Sequence, residues 1–315
     1  MKKLGIIYGG QSYEHEISIK SKNSIINNIK KYEIHEIYID KKGIWYENNK
    51  KIENIINYLK NFDIIFPIIH GNIGEDGKLQ GLFETFNINY VGSNTISSAI
   101  SMDKGFCKII MDKYNIKQVP YLIIDKKYKI KEIINTFSYP IIIKPANGGS
   151  SIGISVAYNL SQLIKALNKA FKYDKKIIVE KFIKARELEI GLIDNNGIIT
   201  SSIGEIINNG FYDYESKYNK KTEILINPTL NKEIILKIKE TARKVYKILE
   251  VNSYARCDFL YDEENNQLYF NEINTIPGFT ESSMFPKLFI NKGYTYDELL
   301  NIIIKNSQKK KPTFS

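Results

Sequence analysis

Apolar residues in the first 92 positions form short continuous runs that alternate with stripes at helical spacing. The runs Leu4–Tyr8, Ile34–Ile39 and Ile64–Ile69 predict three strands, because short apolar runs are typical of buried strands. The predicted helices of this region are Ile17–Lys31, with an apolar stripe of Ile17, Ile25, Ile26 and Ile29, then Ile52–Leu59 and Leu79–Phe86. This alternation predicts a parallel sheet covered by helices.

The pattern changes after residue 92. The next region predicts a long helix, Ser97–Lys113, followed by strands and two further helices up to about residue 180. The last region predicts a helix at Asn231–Glu250 and a hairpin of Tyr254–Leu260 with Leu268–Thr275. We therefore predict a multidomain chain of α/β and α+β parts, with abutting domains at 1–92, 93–180 and 181–315.

The composition of the 315-residue chain is that of an ordinary globular protein, with 43% hydrophobic and 25% charged residues. Its apolar runs are shorter than the ~18 residues of a membrane span and the ~7–15 residues of a signal-peptide core. We therefore expect a cytoplasmic protein that binds no membrane. Cys107 and Cys257 are far apart and outside any metal-binding spacing, so we expect buried, reduced thiols.

The net charge of +10 raises the possibility of nucleic-acid binding. Only three of the 45 basic residues are arginines, however, namely Arg186, Arg243 and Arg256. Nucleic-acid readers favour arginine, whose planar guanidinium makes paired hydrogen bonds to guanine and phosphate. We therefore expect no nucleic-acid partner, although a basic binding protein remains the alternative from a different functional class.

A loop rich in glycine and serine follows the predicted strand that ends at Lys144, in the segment KPANGGSSIG at 144–153. Glycine lets the backbone approach a phosphate closely, and loop N–H groups bind anions. The chain contains neither a GxxxxGKS/T loop nor a GxGxxG fingerprint. A phosphate-binding loop between two strands is one interpretation, and an ordinary glycine-rich hairpin is the other.

Polar residues alternate on the two strands of the predicted C-terminal hairpin. Arg256 and Asp258 share one strand face, as do Glu272 and Asn274 on the next strand. If the register pairs Asp258 with Glu272, the four side chains converge, and Leu260, Leu268 and Phe270 extend the same faces. Carboxylate and amide oxygens suit Mg²⁺ held with nucleotide phosphates. The alternative is an exposed ionic lattice.

Two weaker signals complete the pattern. The segment EKFI at 180–183, with Glu187 after it, can offer backbone groups to an adenine edge and a carboxylate to a ribose. The segments GGQSYEHE at 9–16 and HGNIGEDG at 70–77 each follow a predicted strand. Ligands of open α/β sheets bind beyond the carboxyl ends of strands. Taken separately, these segments are equally consistent with capped helix starts.

Eight segments in this order resemble the D-alanine–D-alanine ligase family, from Gly9 to about Pro286. They are GGQSYEHEIS, HGNIGEDGKLQG, MDK at 102–104, KPANGGSSIGIS, EKFI, FYDYESKY at 211–218, RCDF and NEINTIPGFTESSMFP. The resemblance implies an N-terminal parallel α/β domain followed by the two-domain ATP-grasp fold. It also implies ATP and two Mg²⁺ (or Mn²⁺) ions as cofactors, D-alanine as substrate, a D-alanyl phosphate intermediate and a homodimer.

The resemblance also implies a role for each matching residue. Those expected to hold ATP are Lys104, Lys144, Ser151, Glu180, Lys181, Phe182, Ile183, Glu187 and Lys217. Those expected to bind metal are Asp258, Glu272 and Asn274. Those expected at the substrates or the reacting centre are Glu14, His70, Ser150, Tyr218, Arg256, Gly278, Ser283 and Met284. The polar segment 208–229 is the expected lid. A different ATP-grasp carboxylate–amine ligase would lack HGNIGEDG and FYDYESKY.

Overall fold

A computed structural model of the chain describes residues 1–207 and 223–307. Within these residues the strands are β1 (Lys2–Gly9), β2 (Tyr32–Ile39), β3 (Trp45–Glu47), β4 (Lys50–Lys51), β5 (Ile64–Pro67), β6 (Tyr121–Ile124), β7 (Ile141–Pro145), β8 (Ser155–Ala157), β9 (Ile177–Lys181), β10 (Arg186–Asp194), β11 (Ile198–Ile207), β12 (Glu223–Ile226), β13 (Tyr254–Asp262) and β14 (Gln267–Asn274). The helices are α1 (His15–Asn28), α2 (Ile55–Leu59), α3 (Lys78–Thr85), α4 (Thr95–Met102), α5 (Lys104–Lys113), α6 (Ile130–Thr136), α7 (Leu160–Ala170), α8 (Lys232–Ile248), α9 (Met284–Asn291) and α10 (Tyr296–Ser307).

The N-terminal sheet has the strand order β4-β3-β2-β1-β5. The predicted parallel pairing is confirmed for its centre, where β1 runs parallel to both β2 and β5. The short strands β3 and β4, which extend the sheet beyond β2, are antiparallel additions that the apolar pattern did not predict. A tight turn produces them: the Asp40 carboxylate accepts hydrogen bonds from the N–H groups of Lys42 and Ile44, and Gly43 adopts a φ of 83°.

The predicted helix Ser97–Lys113 is two helices. Asp103 interrupts it, because its carboxylate accepts hydrogen bonds from the N–H groups of Gly105 and Phe106 and so begins a new helix, α5. Lys104 thereby becomes the first residue of α5. The apolar stripe predicted for α1 is wrong at Ile17, which is 40% exposed, whereas Ile25 is fully buried.

Two antiparallel sheets follow the N-terminal one, with orders β6-β9-β7-β8 and β12-β11-β10-β13-β14. One apolar core joins Cys107 and Met111 of α5 to residues of β10, α8, β13 and β14. Another joins the N-terminal sheet to α9 and α10. The described helices include none that is long and apolar enough to cross a membrane. These packed layers place the ends of β7, β9, β13 and β14 around a common cavity.

Candidate active site

A cavity of about 360 Å³ is lined by residues of the two antiparallel sheets and by residues that follow β1 and β5 of the N-terminal sheet. The predicted site residues that line it are Glu14, His70, Lys104, Lys144, Ser150, Ser151, Glu180, Glu187, Arg256, Asp258, Glu272, Asn274 and Gly278. The predicted residues that do not line it are Lys181, Phe182, Ile183, Ser283 and Met284. Lys217, Tyr218 and most of the predicted lid segment 208–229 lie outside the described residues.

The hairpin face, which we define as Arg256, Asp258, Glu272 and Asn274, forms one wall of this cavity. The structure pairs Asp258 with Glu272 and Arg256 with Asn274, so the predicted register is confirmed. A bulge follows, because Phe259 pairs with Phe270 and leaves Asn271 as an extra residue on β14. The extra residue turns Leu268 and Phe270 into the core, so the prediction that they extend the polar face is wrong.

Arg256 is held by two carboxylates. Its Nε and Nη2 each donate to one oxygen of Asp258, both at 2.7 Å, and Nε lies 3.0 Å from Glu189 Oε2. Burial raises the pKa of Glu189 to about 8 even though Arg256 opposes that shift. Such a paired, planar fork is fixed in orientation, which suits a group that must meet an oxyanion at one position.

The residues predicted to bind metal fit hard divalent cations in their chemistry. Asp258 and Glu272 face each other on paired strands, and Asn274 Nδ2 donates to Asp258 Oδ2 at 3.0 Å. Each carboxylate now faces a cation, since Glu272 lies 3.4 Å from Lys104 and Asp258 contacts Arg256. Within 1–207 and 223–307, no group of three or more His, Cys, Asp or Glu side chains is arranged so that it could hold a metal ion by itself. The set therefore suits an ion, such as Mg²⁺, that takes further oxygen ligands from phosphate or water.

Two lysines and one buried glutamate line the cavity next to the hairpin face. Lys144, at the end of β7, lies 2.8 Å from Glu180 Oε2, and Lys108 of α5 lies 2.8 Å from Glu180 Oε1. Burial raises the pKa of Glu180, but Lys108 and Lys144 outweigh it and lower that pKa to about 2. Lys104 Nζ donates to the carbonyl of Gly148 at 2.8 Å. Glu180, predicted to contact adenosine, thus has both carboxylate oxygens in ion pairs with lysines.

The backbone after Glu180 is already hydrogen-bonded where an adenine contact was predicted. Lys181 N–H donates to the carbonyl of Pro120 at 3.0 Å, and Phe182 N–H donates to that of Pro140 at 3.3 Å. The side chain of Lys181 is exposed and lies outside the cavity lining. Any adenine contact from this segment must therefore use carbonyl groups or residues beyond Phe182.

The Gly/Ser loop, residues 146–154 between β7 and β8, is positioned by contacts from distant parts of the chain. Asn147 is anchored by Asp174, which accepts from its N–H at 2.8 Å and from its Nδ2 at 3.0 Å. Ser150, at a φ of 50°, donates from Oγ to Glu14 Oε1 at 2.5 Å. A Cβ on Gly149 would lie 2.9 Å from Glu14 Oε2, so a side chain there would displace the Glu14 carboxylate.

His70 and Glu75 hold the segment that follows β14. His70 Nδ1 donates to the carbonyl of Ile276 at 2.9 Å, and its Nε2 accepts from Ser21 Oγ at 3.0 Å. Glu75 accepts from the N–H groups of Ile276 at 3.0 Å and Gly71 at 2.7 Å. Burial lowers the pKa of His70, so its neutral form is favoured. Both ring nitrogens of His70 thus have hydrogen-bond partners within the protein. Together, His70 and Glu75 fix Ile276 and so hold the segment in which Gly278 lines the cavity.

Ser283 and Met284 follow Gly278 in the chain and lie outside the cavity lining. Ser283 Oγ accepts from Thr280 N–H at 3.0 Å, and a Cβ on Gly278 would lie 2.7 Å from that oxygen. Met284 is buried, with its sulfur close to Gly204. Neither side chain reaches the cavity surface in this structure.

Comparisons with known protein families identify the chain's relatives. The family model described as the D-ala D-ala ligase C-terminus matches residues 110–305, and the one described as the D-ala D-ala ligase N-terminus matches residues 3–58 and 51–93. The chain belongs to the D-alanine–D-alanine ligase family.

Curated members of this ligase family match the chain along nearly its full length. D-alanine–D-alanine ligase B of Clostridium tetani is 41% identical, over 96% of this chain and 94% of its own length. The D-alanine–D-alanine ligase of Clostridium acetobutylicum is 40% identical, over 96% of this chain and 97% of its own length.

Solved structures of the family share the ATP-grasp fold, which confirms the predicted fold class. The VanG D-Ala:D-Ser ligase of Enterococcus faecalis superposes with a TM-score of 0.86 at 30% identity, covering 97% of this chain and 99% of its own. The D-alanine–D-alanine ligase of Bacillus anthracis complexed with ATP has a TM-score of 0.83 at 29% identity, covering 98% of each chain.

Three residues of this family member that line the cavity or pair with its lining were not predicted from its sequence: Glu75 and Glu189 line it, and Lys108 pairs with Glu180. Lys108 is four residues after Lys104, so both lie on one face of α5. Glu189 is two residues after Glu187 on β10 and shares its strand face. These spacings are the signals that could have identified Lys108 and Glu189, whereas Glu75 is distinguished by its contact with Ile276, 201 positions away.

Proposed function

We propose that this protein joins two D-alanine molecules to D-alanyl-D-alanine at the expense of ATP, a step of peptidoglycan precursor synthesis. The observation that supports this most is the meeting of three chemically distinct groups in one cavity. These are the Glu14–Ser150 pair, the lysines around Glu180, and the hairpin face. They suit, in turn, an ammonium group, a polyphosphate, and metal ions beside a reacting carboxylate.

The chemistry follows from the poor reactivity of a carboxylate toward an amine. An oxygen of the first D-alanine carboxylate attacks the γ-phosphorus of ATP, forming a D-alanyl phosphate and releasing ADP. The amine of the second D-alanine, after losing a proton, attacks the carbonyl carbon. The C–O bond to phosphate then breaks, releasing inorganic phosphate. Arg256 and the Gly278 N–H are suited to the oxyanion formed in this second step.

The cations of the cavity support the first step. Lys104 and Lys144 are placed to offset the negative charge of the phosphates, and we propose the same for Lys217. Asp258, Glu272 and Asn274 would hold two Mg²⁺ or Mn²⁺ ions, which supply charge neutralisation at the transferring phosphoryl group. The remaining proposed contacts with ATP come from Ser151, Glu180, Lys181, Phe182, Ile183 and Glu187.

The substrate contacts are proposals of the same kind. The Glu14 carboxylate is suited to the ammonium group of the first D-alanine, with Ser150 and Tyr218 supporting it. Because both ring nitrogens of His70 are hydrogen-bonded, we assign His70 to positioning residues 276–278 beside the first substrate. Ser283 and Met284 would reach the second D-alanine only after the segment around Gly278 moves.

Three further expectations belong to this proposal. We propose the domains 1–92, 93–180 and 181–315, with segment 208–229 as a lid that excludes water from the acyl phosphate. A homodimer is expected from the family alone. Since ATP is the proposed co-substrate, the proposed site of action is the cytoplasm.

The proposal is tested by measuring ADP release with D-alanine and Mg·ATP and identifying the product by mass spectrometry. We expect D-alanine-dependent ADP release with equimolar D-alanyl-D-alanine. Parallel reactions with L-alanine, D-serine and D-lactate as second substrates define the product range. Absence of D-alanine-dependent ADP release, or a mixed product in preference to D-alanyl-D-alanine, would contradict the proposed reaction.

A further inference from the structure

Lys108, Glu180 and Lys144 form a chain of three buried charges that leads from the core to the cavity. In that order, the three residues are 1%, 3% and 6% exposed. Each Glu180 oxygen forms an ion pair with a different lysine at 2.8 Å. Glu180 and Lys144 line the cavity, whereas Lys108 does not. Lys108 therefore does not contact a ligand in the cavity and acts on it only through its charge and through its neighbours.

The charge balance of this chain depends on Lys108. Lys108 and Lys144 face the single carboxylate of Glu180, so the three groups carry one net positive charge. The nearby pair of Lys104 and Glu272 is neutral and leaves that net charge unchanged. Without Lys108, Glu180 has a single lysine partner, and that pair is neutral. Interactions between charges are strong where water is excluded, so one buried charge matters for binding a polyphosphate.

Lys108 is also fixed in place. Its Nζ lies 4.8 Å from the centre of the Tyr121 ring, and Tyr121 is held by a 2.5 Å hydrogen bond to Asp112. Burial lowers the pKa of Lys108, and Glu180 opposes that shift, so the ammonium form depends on this ion pair. The Lys108 side chain is thus fixed in position and paired with Glu180.

We propose that Lys108 is a positioning residue for nucleotide phosphates: by holding Glu180 from the core side, it keeps the charge of Lys144 available to the cavity. This inference rests on the proposed function, because it assumes that the cavity accepts the polyphosphate of ATP. It predicts that removing Lys108 weakens phosphate binding without altering the D-alanine contacts.

Lys22 offers a matched control. It is 8% exposed, its Nζ lies 2.6 Å from Glu36, and it lies 4.6 Å from the centre of the Tyr8 ring. It therefore has the same kinds of partner as Lys108, a carboxylate and a tyrosine ring, away from the cavity lining, although Glu36 is more exposed than Glu180. A general effect of replacing a paired lysine that is itself buried should occur in both Lys22→Met and Lys108→Met.

The first measurement is the affinity for inorganic tripolyphosphate in the presence of Mg²⁺, by calorimetry, counting only heat that ATP abolishes. Lys108→Met should weaken binding about tenfold or more, and Lys108→Arg should restore most of it. Lys22→Met should bind as the wild type does. In turnover, Lys108→Met should raise KM for Mg·ATP by a similar factor and leave KM for D-alanine within about twofold.

The second measurement uses Glu180→Gln to separate charge from packing. Combined with Lys108→Met, it returns the cluster to one net positive charge, so the double variant should bind tripolyphosphate more tightly than Lys108→Met alone. If Lys108→Met does not fold, the double variant is compared with Glu180→Gln and should bind about tenfold more weakly.

Equal tripolyphosphate affinity in Lys108→Met and Lys22→Met would overturn the inference, as would an unchanged affinity on adding Lys108→Met to Glu180→Gln. Failure of the proposed function is a separate result. In that case wild-type protein releases no ADP with D-alanine, while the calorimetric comparison still reports on Lys108.

Discussion

The hairpin face and the Gly/Ser loop both line one cavity but are held in different ways. Backbone pairing positions the hairpin face, since Arg256 is paired with Asn274 and Asp258 with Glu272. Side chains from distant segments position the loop, chiefly Glu14 and Asp174, and it includes backbone at positive φ. A site built on paired strands is rigid, whereas one held by a few polar contacts can rearrange around a substrate. Substitutions in the two regions should therefore have different kinds of effect on activity.

The largest effect is expected on the hairpin face, where Glu272→Gln should abolish activity and leave the fold intact. Glu272 faces Lys104 at the cavity and lies outside the apolar cores, so its replacement removes a proposed metal ligand without opening a core cavity. Loss of a ligand should reduce kcat by more than about 100-fold, since even outer partners of metal sites are worth about 10–100-fold.

The matched control is Glu264→Gln, on the exposed turn of the same hairpin, which should retain wild-type kcat. Steady-state kinetics at saturating Mg·ATP, with circular dichroism to check folding, give the comparison. Full turnover by Glu272→Gln would remove Glu272 from the proposed metal site.

A smaller, graded effect is expected in the Gly/Ser loop. Ser150→Ala removes the 2.5 Å hydrogen bond to Glu14, which links the loop to the start of α1. Because the bond is charge-assisted but partly exposed, we expect about a tenfold loss of kcat/KM for D-alanine. The melting temperature should change little, since loop contacts on the surface contribute little to global stability.

Two variants sharpen this test. Gly149→Ala should lower kcat/KM for D-alanine in the same direction, because its methyl group would lie 2.9 Å from Glu14 Oε2. Ser161→Ala, at an exposed position of α7, should behave as the wild type does. A fall in kcat without any change in KM for D-alanine would argue against a role of the Glu14–Ser150 pair in holding the first substrate.

The smallest effect concerns the connection between the two regions through Glu75. Burial, followed by the nearby Glu14 carboxylate, raises the pKa of Glu75 from 4.5 to about 8, while hydrogen bonds from Gly71 and Ile276 and the charge of Arg256 oppose the shift. Tyr254, whose own pKa is raised mainly by burial, also faces this carboxyl group. The folded protein thus retains a proton that the unfolded chain releases.

The sign of the pH dependence follows from that proton. The stability linked to Glu75 is fully present below pH 4.5 and is lost as the pH rises through about 8. Glu75→Gln should remove this part of the dependence, so the difference in free energy of unfolding between wild type and variant should change over this range. Urea unfolding at several pH values measures it, with the exposed Glu16→Gln as control. Parallel pH profiles for wild type and Glu75→Gln would contradict the assignment.

The sequence predicted the hairpin face well because its geometry is local. Alternation on two strands and one register were enough to bring Asp258 and Glu272 together. It did not predict the bulge at Asn271, since an extra residue leaves no mark in an alternating pattern until pairing is known.

The loop side was less predictable, because its contacts span long stretches of chain. The residues KPANGGSS indicated a phosphate-binding loop, but its pairing of Ser150 with Glu14 came only from family resemblance. Lys108 was missed because it stands among apolar residues of a predicted continuous helix, and its partner Glu180 is 72 positions away (180 − 108). The capping role of Asp103, which placed Lys104 at a helix start, was local but was read as mid-helix.

The central claim is that this cavity activates a carboxylate by phosphoryl transfer. The most direct measurement uses D-alanine labelled with ¹⁸O in both carboxylate oxygens, with mass spectrometry of the inorganic phosphate released during turnover. If the carboxylate attacks the γ-phosphorus and the C–O bond later breaks, each phosphate carries one ¹⁸O atom. Phosphate without ¹⁸O, formed while D-alanyl-D-alanine accumulates, would contradict an acyl phosphate and the roles assigned to the lysines and the hairpin face.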